Sequence, residues 1–161
     1  MIRTILLVVA LCANVTLLTA QSTTPRDPRF VGNWRLVTIE NYDDTGVARP
    51  GAYTGGRIMY DAAGQMSAQL TRPDRPPLPS DAGEAPRAAA YTSYVAYYGA
   101  YQIDAAAGKV THKVEGSLNP NWPKTDLPRY FAFSDGNNTL KLSIRNVAGR
   151  VTGTLTWARI R

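Results

Sequence analysis

The sequence predicts an all-β protein, an eight-stranded up-and-down antiparallel barrel with one inserted helix between strands 3 and 4. Three observations carry this. From residue 33 onward the chain divides into about eight short runs of alternating polarity. Most neighbouring runs are joined by tight, glycine-bearing turns. A closed barrel removes the open edges that so many short strands would otherwise leave. A two-sheet sandwich is the runner-up arrangement.

The start of the chain stands apart. Met1-Ile2-Arg3 is a short basic opening, Ile5 to Leu18 is mostly apolar, and Thr19-Ala20 places a small residue before Gln21. That layout is a secretory signal peptide over residues 1–20. The apolar run is too short and too interrupted for a span of about 20 residues, so no membrane anchor is expected after cleavage, and an exported protein, periplasmic or extracellular, is. Cys12 is preceded by Leu11, not by the small residue a lipid-attachment site requires, and it leaves with the signal peptide. The mature chain then has no thiol, no disulfide and no cysteine-based metal site. No cofactor and no metal are expected.

Residues 21–29 read as a polar lead-in and a short helical turn, with Asp27 capping and Pro28 at the first helical position. A barrel domain over 30–161 follows. Its first strand is Asn33 to Asn41, and Tyr42 to Gly46 is turn-rich. Gly56 to Asp61 and Gln65 to Thr71 form a hairpin around Ala62-Ala63-Gly64. Arg72 to Pro79 is proline-rich and excluded from a central strand. Ser80-Asp81 offers a helix cap, and Glu84 to Ala96 has the alanine content of a helix. In a barrel this insertion stands over one mouth as a lid or packs on the outer wall. Tyr97 to Asp104 with Lys109 to Leu118, then Pro128 to Ser134 with Thr139 to Arg145, make two more hairpins. Arg150 to Arg159 closes the chain.

The formal net charge is +6, and about +5 once Arg3 is removed with the leader. The arginines are scattered, not clustered as a nucleic-acid face would be, so no nucleic-acid partner is expected. A basic surface favours anionic partners.

Strand alternation assigns the interior. Val110, His112, Val114, Gly116 and Leu118 share one face, and Glu115 lies on the other unless Gly116 marks a bulge. Arg129, Phe131 and Phe133 share a face, as do Met66, Ala68 and Leu70, and Tyr97, Gly99, Tyr101 and Ile103. Small residues such as Ala68 and Gly99 leave room for a modest cavity. A pocket lined by Met66, Tyr101, Phe131 and Phe133, with His112 and Arg129 as its polar groups, has the make-up of a small-molecule site. Arg129 favours a carboxylate or other anionic head, and His112, the only histidine, can donate or accept a proton with a pKa in reach of neutral pH.

Hydrolase, metalloenzyme and nucleotide chemistry are disfavoured. No Gly-x-Ser-x-Gly elbow is present, Ser117 and His112 fall on opposite faces, and no phosphate-cradling loop appears. The expectation is binding of a small hydrophobic or amphipathic molecule, possibly anionic. The alternative is a small-molecule isomerase or cyclase with His112 as acid–base group. A filled core with His112 merely satisfied is the third reading.

Gly32-Asn33-Trp34, opening the first strand, resembles the Gly-x-Trp signature of lipocalins. Leu155-Thr156-Trp157-Ala158-Arg159 closes the last strand as their terminal arginine segment does. The resemblance implies that Arg159 lies over Trp34 beside Gly32 and closes the barrel, a cation–π contact worth about 0.5 to 2 kcal/mol. Met66 to Pro76, Tyr98 to Asp104 and Val110 to Trp122 look like the bacterial and fungal lipocalin-like domain family. The resemblance spans nearly all of residues 30 to 160. It implies the fold. Some members are secreted and some accompany biosynthetic enzymes, with no single established activity.

Overall fold

The computed structural model describes residues 27–161, so the expected signal peptide and most of the lead-in lie outside the described residues. The strands are β1 (Gly32–Tyr42), β2 (Ala48–Pro50), β3 (Gly55–Tyr60), β4 (Gln65–Thr71), β5 (Tyr94–Asp104), β6 (Lys109–Ser117), β7 (Asp126–Ser134), β8 (Thr139–Arg145) and β9 (Val151–Arg159). The helix is α1 (Glu84–Thr92). Every strand pairing is antiparallel, and the order runs β1-β3-β4-β5-β6-β7-β8-β9 with β9 returning to β1. This is a closed eight-stranded up-and-down barrel. The short β2 pairs only with the far end of β1, through Glu40–Pro50, Asn41–Arg49 and Tyr42–Ala48.

The helix falls in the expected gap of the chain, but β2 makes it the connection between the fourth and fifth strands, not the third and fourth. Three residues ending in a proline carry little strand signal, and their pairing depends wholly on β1. The helix also ends earlier than alanine content suggested. Tyr94, Val95 and Ala96 pair with Thr71, Leu70 and Gln69, since an aromatic and a β-branched residue beside a free strand edge favour the ladder. Ser80-Asp81 does not cap the helix. Its N-cap is Gly83, which makes no side-chain cap bond.

The core runs through the barrel. Phe30, Trp34, Leu36, Ile58, Val110, Leu140, Leu142 and Trp157 are buried. Their strands alternate inward and outward as the pleat requires. Register shifts occur at Leu36/Thr38 in β1–β9, at Ile144/Arg145 in β8–β9 and, nearest the buried histidine, at Tyr98/Gly99 in β5–β6. In the β5–β6 register Tyr98 faces Gly116 and Gly99 faces Val114, so Glu115 has no opposite partner. Glu115 is exposed, and beyond it the inward position passes from Gly116 and Leu118 to Ser117, opposite Tyr97. The bulge presses β6 against Gly99, where a Cβ would stand 2.0 Å from the Lys113 carbonyl oxygen. Glycine is the residue that fits there.

Candidate functional site

The two ends of the barrel are built differently. At the base, Asp27 to Val31 forms a tight turn, with the Phe30 and Val31 amides donating to the Asp27 and Pro28 carbonyls at 3.1 and 3.2 Å. The turn drives Phe30 into the barrel. Its ring meets Phe131 and Phe133 edge-on, each at 5.0 Å, and Tyr60 at 5.2 Å. Tyr101 packs on Tyr60 at 4.9 Å and donates its hydroxyl to the Asp61 carbonyl at 2.8 Å. Such edge-on pairs add stability beyond the area they bury.

Arg159 lies across this end. Its guanidinium carbon is 4.1 Å from the Trp34 ring centre. Its Nη1 donates to the Val31 carbonyl at 2.9 Å and its Nη2 to the Arg29 carbonyl at 2.6 Å. Trp34 Nε1 donates to the Phe30 carbonyl at 2.9 Å. Gly32 has φ +132°, and a Cβ there would meet Arg159 Nη1 at 2.9 Å. Gly32, Trp34 and Arg159 thus form one closure.

Above this aromatic floor sits the one buried imidazole. His112 is 1% exposed. Its Nε2 lies 2.7 Å from the Tyr60 hydroxyl and its Nδ1 lies 3.0 Å from the Tyr97 hydroxyl. Both tyrosines are themselves buried. Arg129, half-buried on β7, donates through Nη1 to the Pro128 carbonyl at 2.9 Å, and its positive charge acts on both Tyr97 and His112. Burial, then the Arg129 charge, push the His112 pKa from its ordinary value down to about 3. The expectation of an imidazole titrating near neutral pH therefore gives way to one that stays neutral. Burial also raises the pKa of Tyr97, against the opposing pull of Arg129. Burial raises that of Tyr60 as well.

A neutral imidazole has one donor and one acceptor nitrogen. The short contact suits an O–H donor and the longer one an N–H donor. Tyr60 then donates to Nε2, and Nδ1–H donates to Tyr97. The Tyr97 oxygen then accepts from Nδ1–H, and its own proton is not taken up by the imidazole.

Of the residues singled out from sequence, His112 and Arg129 come together here. Tyr101, Phe131 and Phe133 form the packed floor below. Met66 is buried beside it, opposite Gly99 on the β4–β5 ladder. Tyr60 and Tyr97 complete the cluster, and sequence reasoning left both out of the site. Tyr97 lies on the inner face that alternation predicts for its strand. Applying the same count to β3 would have turned Tyr60 inward beside Ile58.

At the open end the ring of Trp122, in the loop after β6, stands 5.7 Å from Tyr97. The Thr125 hydroxyl and amide both donate to the Trp122 carbonyl, at 2.6 and 3.0 Å, and hold the loop. A cleft of ≈ 300 Å³ opens beside it, lined by Tyr53, Tyr91, Tyr94, Val95, Leu118 and Trp122 among others. Helix α1 buries none of its residues. It is tied to the rim by its last turn, where Tyr91 donates to the Leu118 carbonyl at 3.2 Å and Tyr53 donates to the Thr92 carbonyl at 3.3 Å.

Among the described residues no group of three or more His, Cys, Asp or Glu side chains gathers as metal ligands would. No helix among them is long and apolar enough to cross a membrane. Comparison with curated proteins yields no match. The family model for the lipocalin-like domain does match, over residues 31–160. That span takes in Gly32, Trp34 and Arg159 of the base closure, every barrel strand and the buried histidine cluster, and the chain therefore belongs to the lipocalin-like domain family.

Proposed function

We propose that this protein is an exported carrier of a small amphipathic molecule with an anionic head, held in the barrel with its polar end at Arg129, Tyr97 and His112. Membership of the lipocalin-like family supports small-molecule binding in general terms. The finer reading rests on one observation. A histidine bonded through both ring nitrogens sits among buried tyrosines with an arginine alongside. A core that needed only filling would cost less with apolar residues there. Met66, Tyr101, Phe131 and Phe133 supply the apolar floor. Export is supported by the apolar N-terminal run.

Native mass spectrometry of the gently purified, exported protein tests this. A small molecule released on denaturation, and lost from the Arg129→Met variant, is the expected result. A protein that shows no bound mass and takes up no amphipathic anion from a mixed panel counts against it.

The Tyr60–His112–Tyr97 chain supports a second reading, isomerisation or ring closure of a small molecule. Here the Tyr97 hydroxyl lends its proton to one position of the substrate and takes one back from another, neutral His112 orients that hydroxyl through Nδ1–H, and Arg129 stabilises the developing negative charge. Small-molecule extracts incubated with wild-type protein and with Tyr97→Phe would be compared. Interconversion of isomers by the wild type alone favours turnover, and identical profiles favour binding.

A further inference from the structure

The rim cleft has a composition of its own. Three tyrosines and a tryptophan dominate its walls, with Val95 and Leu118 between them. Two of the tyrosine hydroxyls are already committed to backbone carbonyls, Tyr53 to Thr92 and Tyr91 to Leu118. The floor is equally fixed, because Ser117 Oγ and the Leu118 amide both donate to the Ala96 carbonyl, at 3.1 and 2.8 Å. What the cleft offers a guest is therefore mainly ring surface held in place, with Asn119 at its edge and with Arg72 and Arg75 on one face of Tyr53 and Tyr94, 5.7 and 5.0 Å from the ring centres. Flat aromatic surfaces recognise flat aromatic surfaces through offset and edge-on contacts. A volume of ≈ 300 Å³ lies at the small end of ligand sites and suits about one or two fused rings. Trp122 is shared, since the same indole that walls the cleft packs on Tyr97.

We propose that the rim cleft is a preformed subsite for a planar aromatic ring, with Trp122 as its inner wall, and that the guest is an aromatic anion whose acidic oxygen is directed past Trp122 toward Tyr97 and Arg129. The proposal rests on the barrel-binding reading above and narrows its ligand to a chemical class. The Tyr91–Leu118 bond holds the last turn of α1 over the guest, which gives the helix a role at the mouth that burial alone does not.

Two fluorescent probes sharing one ring system separate the parts. N-phenyl-1-naphthylamine is neutral, and 8-anilinonaphthalene-1-sulfonate carries the same rings with an acidic group. Both are titrated into the full chain and into Trp122→Ala, Trp122→Phe and Arg129→Met, with thermal melts to establish that each variant is folded. Wild type should bind the sulfonate more tightly than the neutral probe. Trp122→Ala should weaken both about tenfold, with Trp122→Phe recovering most of the loss. Arg129→Met should weaken the sulfonate alone.

If Trp122→Ala, or Trp122→Phe should the alanine variant not fold, leaves both affinities unchanged while Arg129→Met still acts, the aromatic subsite is wrong and the barrel reading stands. If Trp122 matters but Arg129→Met leaves the sulfonate unaffected, the anionic assignment fails here and in the carrier reading. Binding of neither probe overturns the ring subsite and argues against an apolar guest altogether.

Discussion

The base and the rim of this barrel use the same residue types to opposite ends. At the base, Phe30, Tyr60, Tyr101, Phe131 and Phe133 turn their rings on one another, and Arg159 covers Trp34 while donating to the Val31, Arg29 and Asn137 carbonyls. At the rim, Tyr53, Tyr91, Tyr94 and Trp122 line open space, and the neighbouring helix buries nothing. Rings at the base meet one another, whereas at the rim Tyr53 and Tyr91 are held by bonds to backbone carbonyls and line a cleft. Between the two ends lies a polar layer, His112 with its two tyrosines. It belongs to the base by burial and to the rim through the Tyr97–Trp122 contact.

Substitutions should reproduce this division. The largest expected loss is Trp34→Ala, about 3 to 5 kcal/mol, because it empties a fully buried indole site. Arg159→Ala should cost about 1 to 3 kcal/mol through its carbonyl partners and the stacking. Urea unfolding measures both. Unchanged midpoints in the two variants would mean that the closure contributes nothing to stability.

The polar layer comes next, through pH. The His112 pKa falls from an ordinary 6.5 when unfolded to about 3 when folded. Between those values the unfolded chain binds a proton that the folded chain refuses. The stabilisation is therefore fully present above about pH 6.5 and is lost progressively as pH falls toward 3. Its full extent is on the order of a few kcal/mol. Unfolding at pH 7.5 and pH 4.5 should show a larger difference for wild type than for His112→Gln. Equal differences would mean that the imidazole is not held neutral.

On binding, His112→Ala should weaken a guest more than Glu115→Ala, since Glu115 is the exposed bulge residue. Equal effects by calorimetry would put the site elsewhere. The smallest expected change is Tyr91→Phe. Its exposed bond to Leu118 should be worth less than about 1 kcal/mol in stability, yet its loss should speed release of a bound probe. A stopped-flow release rate equal to wild type would remove the helix from the story of the mouth.

Much of the base was legible from the chain. Asp27-Pro28 announces the turn, and the resemblance of Gly32, Trp34 and Arg159 to the lipocalin signature announces the closure. Alternation placed Val110, His112 and Val114 inward, and it failed for Leu118 because one unpaired residue, Glu115, reverses every face after it. The site was half legible. His112 and Arg129 stood out as polar residues on apolar faces. Tyr60 and Tyr97 reach His112 from 52 and 15 positions away along the chain, and no spacing rule spans such distances.

By itself, the sequence determined the class of fold, the order of the barrel strands, which faces are apolar, and the residues that seal the base. The first three follow from local chemistry, namely pleat alternation and turn residues, and the last from the resemblance of Gly32-Asn33-Trp34 and Arg159 to the lipocalin signature. Only the tertiary structure decided how His112 is satisfied, that it stays neutral, where the bulge falls, and which end keeps its aromatic faces open. Those outcomes depend on burial and on contacts between distant strands. The desolvation of His112 and the tyrosine hydroxyls at its two nitrogens exist only once β3, β5 and β6 have closed into one barrel.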